Sequence, residues 1–270
     1  MALLDKQLEA GIHGDFEKGW LIAQQLEKET PNCQRAAFNR GWYYLRQGKL
    51  LEGHKLLDQG RFEDVFGNRH IGSSQPIWNG EGGTVLLNLE GGLGDQIKSY
   101  RFAFDLQKRG NRVVISCSPE LASMFAEKFA VVEHDAACGT YHDYWLPSMS
   151  AVVPFGYEYE DLKGEPYIER TADPVAGRIG VRWSGNPKFE HEQHRFFPAD
   201  LMFDAVKGYN CVSLQRDKDV ELKPEWMEQA PLDDWQTTRK SISQCELVIS
   251  SCTSVAHLAA AMGVKTWIVV

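Results

Sequence analysis

The stretch NLEGGLGDQI, residues 88–97, places Gly91, Gly92, Gly94 and two acids, Glu90 and Asp95, behind the apolar run Val85, Leu86, Leu87. Glycines let a backbone approach a ligand closely, and a helix opening just after them points free N–H groups at it. A carboxylate there can take the proton of a hydroxyl. It can equally cap the helix, which is the commoner role for such an acid taken alone. The dinucleotide fingerprint G-x-G-x-x-G loses its third glycine here, since the spacing runs Gly92-x-Gly94-x-x-Ile97. The next predicted strand ends ISCSPE, with no acid directly at its tip to hold a ribose. Both features argue against NAD.

Two further segments carry chemistry. RIGVRWSGNPKFEHEQHRFFP, residues 178–198, follows a predicted strand with Arg182, Lys188 and Arg195 near its tip. Arginine forks grip phosphate oxygens and lysine adds a point charge. Glu190 and Glu192 partly cancel these cations, so a solvated charged loop is the plain alternative. HEQH, residues 191–194, is one residue short of H-E-x-x-H, and no metal site is expected from it. CELVISSCTSVAHLAAAMGVKTWIVV, residues 245–270, reads as a buried strand, then Thr253 and Ser254 opening a helix that Gly263 stops. Hydroxyls and N–H groups at such a start suit a diphosphate, although the same pattern most often only caps. His257 lies about one turn further in and could reach the same ligand.

These residues need elements to hold them. Residues 1–66 show apolar positions at helical spacing. GDFEKGW at Gly14 and GKLLEGH at Gly48 stand 34 positions apart, the period of a tetratricopeptide repeat. Gly41, Tyr44, Gly48, Leu50, Gly53 and Leu57 in the second unit, and Phe16, Gly19 and Pro31 in the first, resemble that repeat, although glycine stands at 19, 53 and 60 where alanine is usual. Two repeats cannot bury their own faces and are expected to dock on the next domain of the chain. Residues 67–83, rich in Gly, Ser and Asn, read as a linker.

Beyond residue 83 strands and helices alternate. Strands are predicted over 84–89, 112–117, 131–134 and 151–154, with helices over 95–109 and 119–129. A second cycle gives strands over 178–183, 211–215, 247–250 and 266–270, with helices over 199–207, 237–244 and 254–262. Short apolar strands between helices imply parallel sheets, here two of them, expected to leave a cleft at their strand carboxyl ends. Formal charge of −8 disfavours a nucleic-acid partner or an anionic membrane surface. No apolar run is long enough to span a bilayer, and no secretion signal is expected from the opening residues. Six scattered cysteines without a C-x-x-C pair suggest reduced thiols and a cytoplasmic protein.

Together, GGLGDQI, GVRWSGNPKFEHEQHRFFP and ELVISSCTSVAHLAAAMGVKTWIVV resemble tetratricopeptide-containing glycosyltransferases related to the heptosyltransferase family (glycosyltransferase family 9) and, more distantly, O-GlcNAc transferase. The resemblance implies an α/β GT-B architecture: an acceptor domain over 84–165 and a nucleotide-sugar donor domain over 166–270, both Rossmann-like, behind the tetratricopeptide-like segment. It implies Asp95 as catalytic base on the loop of Gly91, Gly92 and Gly94. Arg182, Ser184, Lys188, Arg195, Gln215, Thr253, Ser254 and His257 would hold the donor and its diphosphate. Transfer would invert the sugar and need no metal and no cofactor beyond the nucleotide-sugar substrate; the acceptor would be a glycan or protein hydroxyl, with a protein partner on the repeats. Relatives carry aspartate where Cys252 stands, which removes a carboxylate contact to the donor and puts ADP-heptose itself in doubt. They also continue past a strand like 266–270 into a crossing helix, so the donor domain is expected to be incomplete. A catalytically degenerate binding module is the alternative from another class.

Overall fold

The computed structural model of the chain describes residues 3–67, 71–186, 195, 197–216 and 219–269. Four helices come first, as the apolar spacing predicts: α1 (Leu3–Ile12), α2 (Phe16–Glu29), α3 (Gln34–Arg46) and α4 (Leu50–Leu57). Asp15 caps α2 by accepting the Lys18 N–H at 3.2 Å. Gly41, which fits the repeat pattern, and Gly53, which departs from it, share a packing reason. A methyl group on Gly41 would stand 2.8 Å from the Gly53 carbonyl, and one on Gly53 would stand 2.5 Å from Leu45 Cδ2. The backbones of α3 and α4 therefore touch where they cross, and alanine would not fit.

The chain divides into two compact units. The first holds Met1–Glu90, Phe102–Ser116 and Val132–Lys163; the second holds Gly91–Arg101, Cys117–Val131 and Gly164–Val270. The first sheet comprises β1 (Thr84–Asn88), β2 (Arg112–Cys117), β3 (Ala130–Glu133) and β4 (Tyr144–Pro147), in the order β3-β2-β1-β4. All five residues of β1 are buried, and both its neighbours β2 and β4 run parallel to it. The segment read as a linker lies along β4: Ile77 bridges Trp145, and the buried Trp78 donates its N–H to the Trp145 carbonyl at 2.8 Å.

The strand predicted over 151–154 is a correction. That stretch is a short helix, α8 (Val152–Phe155), and the strand lies earlier, at Tyr144–Pro147. A short apolar run does not by itself separate a strand from a buried helical turn. Here Trp145 pairs opposite Leu86 and enters the core, whereas the turn Ser148–Ser150 leads into α8, which closes at Gly156 with φ +69°. The helix predicted over 95–109 forms as two pieces, α5 (Leu93–Ser99) and α6 (Arg101–Lys108), meeting at Tyr100. After β2 comes α7 (Pro119–Phe125), shorter than predicted.

A buried ion pair ties the helical segment to the tip of β1. The guanidinium of Arg61, just beyond α4, grips both carboxylate oxygens of Glu90, with Nη2 at 2.7 Å from Oε2. Its Nε donates to Asp58 Oδ1 at 2.6 Å and its Nη2 to Ser150 Oγ at 3.1 Å. Glu90 Oε2 also accepts the Met149 N–H at 3.0 Å, and the Glu90 N–H donates to Ser148 Oγ at 2.9 Å. Gly67 lies flush against the pair, since a methyl group there would stand 2.5 Å from Glu90 Oε1.

The second sheet is wholly parallel, ordered β7-β6-β5-β8-β9 from β5 (Arg178–Arg182), β6 (Asn210–Ser213), β7 (Glu228–Gln229), β8 (Leu247–Ser251) and β9 (Lys265–Val269). Helices α9 (Ala199–Val206), α10 (Trp235–Ser243) and α11 (Ser254–Ala261) accompany it. The two-residue β7 escaped prediction because it is too short to show a period. Val181, Trp183, Met202, Phe203 and Ile249 form the core, with Trp183 edge-on to Phe203 at 4.9 Å. Among the described residues no helix is long and apolar enough to cross a membrane.

Removing one member of a buried pair strands the other charge, so Arg61→Ala or Glu90→Ala should each destabilise the protein by about 3–5 kcal/mol in urea unfolding, and an Arg61→Met/Glu90→Leu double variant should recover most of that loss. A wild-type midpoint for either single variant would show that the pair is not structural.

Candidate ligand site at the ends of the second sheet

In the second unit β5 has β6 on one side and β8 on the other, so the winding reverses between β5 and β8. The loops leaving two such strands part company, and that crevice is where parallel sheets take ligands. The loop after β8 runs through Cys252 to Thr253, the residue preceding α11. Thr253 is extended and places no side-chain hydrogen bond on the helix start. Its hydroxyl lies 3.0 Å from Ser250 Oγ. Ser250 Oγ donates to the Ser251 carbonyl at 2.7 Å, so Thr253 is the donor in their contact. The first N–H groups of α11 are thus left uncapped by Thr253, the arrangement that receives an anion. Ser251 Oγ, beside them in sequence, is buried without a hydrogen-bond partner.

Arg195 joins the two loops. Its Nη1 donates to the Cys252 carbonyl at 2.6 Å. Gly185, in the loop after β5, leaves it room: a methyl group there would stand 2.7 Å from Arg195 Nη2. A cation is thereby fixed against the backbone that opens α11. Arg182, Ser184 and Gln215 are buried and form a supporting layer. Arg182 donates to the carbonyls of Ser184 and Leu214, both at 3.2 Å. Gln215 Oε1 accepts the N–H groups of Trp183 (3.3 Å) and Ser184 (3.2 Å), and its Nε2 donates to Ser184 Oγ at 2.7 Å. These three shape the loop after β5. Lys188 and the HEQH stretch lie outside the described residues.

The glycine loop belongs to this unit and packs on α11. A methyl group on Gly94 would stand 2.8 Å from His257 Cδ2 and 3.3 Å from Ser254 Cα. Only glycine lets the start of α5 rest on the first turn of α11. Asp95 follows Gly94 directly and its side chain is 42% exposed, open to a ligand. Its Oδ2 accepts the Gly92 N–H at 3.1 Å, and its Oδ1 lies 3.7 Å from Lys98 Nζ. Gly91 takes φ +76°, a left-handed conformation that costs glycine nothing, and a side chain there would also collide with the Asp95 carboxylate. Burial, then the nearby Lys98 charge, hold His257 below its ordinary 6.5, while Asp95 acts weakly the other way.

Sequence reasoning missed Gln96. This buried side chain donates to the Gly91 carbonyl at 3.2 Å and to Ser118 Oγ at 2.8 Å, and accepts the Ser118 N–H at 2.9 Å, so it fixes the glycine loop to the start of α7. Its only signal was its place beside Asp95 in a strand-to-helix turn. At the far end of α5, Tyr100 stacks on Phe125 at 4.2 Å and Tyr167 donates to the Ile97 carbonyl at 3.3 Å. The structure thus brings Gly94, Asp95, Ser254 and His257 together, and Arg195 to the loop preceding them. Compared with models of protein families, with curated proteins and with solved structures, the chain gives no match.

The packing has two testable outcomes. Gly94→Ala forces α5 and α11 apart and should destabilise by about 1–3 kcal/mol in thermal unfolding; an unchanged midpoint would refute the close seat. A histidine held low when folded binds its proton more readily when unfolded, so its contribution is complete above about pH 6.5 and declines as pH falls below that value. His134, lowered chiefly by burial, acts in the same sense. Urea midpoints should drop between pH 7.5 and 5.5, and His257→Gln should make that drop shallower; an unaltered slope would count against a buried neutral ring.

Proposed function

We propose that this chain is a glycosyltransferase of the GT-B kind, moving a sugar from a nucleotide-sugar to a hydroxyl of a glycan or protein, behind a tetratricopeptide-like segment that offers a protein-binding surface. One observation carries the reading: Gly94 seats the glycine loop on the first turn of α11, which sets a half-exposed carboxylate beside an anion-binding helix start in the unit that fixes Arg195. Asp95 Oδ1 takes the acceptor proton as the acceptor oxygen attacks the anomeric carbon. The bond to the diphosphate breaks in the same displacement, inverting the sugar. The departing charge meets the α11 N–H groups, Ser254 and Arg195, with Lys188 in the same role by resemblance. No metal is needed for this scheme. Six free cysteines support a reducing, cytoplasmic setting.

A second reading, a catalytically degenerate binding module of the same fold with a protein-interacting helical repeat, is favoured by Cys252, which stands where the transferases this chain resembles carry aspartate. Incubation with a panel of nucleotide-sugars separates the two. A transferase consumes one donor, and Asp95→Asn, which keeps an oxygen for the Gly92 N–H, lowers turnover by about 10²–10⁴-fold while nucleoside diphosphate still raises the melting temperature. Stabilisation without turnover supports the binding module. No turnover and no stabilisation by any donor defeats both.

A further inference from the structure

We propose that Ser73 and His142, in the first unit, form a reactive centre of their own: a serine nucleophile with its own base, able to take an acyl group from a small activated ester. His142 Nδ1 lies 2.6 Å from the Thr140 carbonyl. A carbonyl can only accept, so Nδ1 carries the ring proton and Nε2 presents its lone pair. That lone pair lies 2.6 Å from Ser73 Oγ, which makes the serine hydroxyl the donor. Nucleophile, base and an orienting group for the base are therefore in line, the arrangement that activates a hydroxyl. The Gln75 N–H donates to Ser73 Oγ at 3.0 Å, which favours negative charge on that oxygen as its proton leaves.

Accessibility singles out this pair. His142 is 4% exposed, so its ring is held, while Ser73 is only half-buried on an irregular stretch between exposed neighbours Gly72 and Ser74. The molecule has another serine–histidine contact, Ser116 Oγ to His134 Nδ1 at 2.8 Å, but Ser116 is fully buried at the end of β2 and cannot meet an electrophile.

In the reaction Ser73 Oγ bonds to the acyl carbon and the ester's bond to its leaving oxygen breaks. His142 Nε2 receives the hydroxyl proton and passes it to the leaving oxygen. Water then attacks the acyl-serine, His142 Nε2 takes its proton and hands it to Ser73 Oγ as the acyl–Oγ bond breaks, and carboxylic acid and free Ser73 are released.

The exposed Cys138, whose Cβ would stand 3.5 Å from a methyl group on Gly72, is first replaced by serine so that it cannot compete. The Cys138→Ser protein is then treated with a fluorophosphonate probe and with p-nitrophenyl acetate, and adducts are mapped by mass spectrometry. The expected result is one adduct, on Ser73, absent in Ser73→Ala and formed about 100-fold more slowly in His142→Gln. Labelling spread over surface serines, or undiminished in a folded His142→Gln, overturns the proposal. Should His142→Gln fail to fold, Ser73→Cys decides: alkylation that stays fast below pH 7 shows a thiolate held by His142, and an ordinary thiol profile refutes the pair.

Discussion

Glu90 is a carboxylate with its side chain wholly out of water, one residue before the glycine loop, and Arg61 is what makes that burial tolerable. The arginine comes from the helical segment and the glutamate from the loop just after β1, so the pair links these two parts of the first unit. In the order β3-β2-β1-β4 the winding reverses between β1 and β4, and the network of Glu90, Ser148, Met149 and Ser150 lies on the loops leaving those two strands. The spot where a parallel sheet ordinarily takes a ligand is thus filled in the first sheet by the protein's own guanidinium. The corresponding spot in the second sheet carries Arg195 across two loop backbones, beside a helix start that Thr253 does not cap.

The contrast between the two sheets explains how Asp95 is held. Glu90 is the last residue of its segment in the first unit, and from Gly91 onward the chain belongs to the second unit, where Gln96 anchors the loop and Gly94 rests on α11. The carboxylate uses one oxygen for the Gly92 N–H and keeps the other toward the surface beside Lys98. Such an acid is a helix-start group, and the proposed function gives it a second role as a base. The two roles occupy different oxygens and do not compete.

Much of this could be read from residues alone. β1, β2, β5 and β8 are buried apolar runs bounded by glycine or polar turns, and their limits fall within a residue of expectation. The helix start at Ser254 was legible because small hydroxyl residues come directly after a strand. Whatever depends on partners distant in sequence stayed hidden. Arg61 and Glu90 are 29 positions apart and each looks locally like a surface charge. Val152 and Val153 look like a strand until Trp145 is known to have taken that edge of β1. Gln215 stands at a strand tip as expected, yet its amide is turned to Ser184 and the backbone beside it, which no local pattern announces.

The proposed ligand site rests on a start of α11 that Thr253 does not cap, with the Asp95 loop lying against it. The most direct measurement is a ¹⁵N–¹H titration of the labelled protein with a nucleoside diphosphate. The expected result is saturable movement of the amide signals of Ser254, Val255 and Ala256, accompanied by those of Gly92 and Gly94. Saturable shifts confined to other parts of the protein, or none at millimolar ligand, would contradict that dependence.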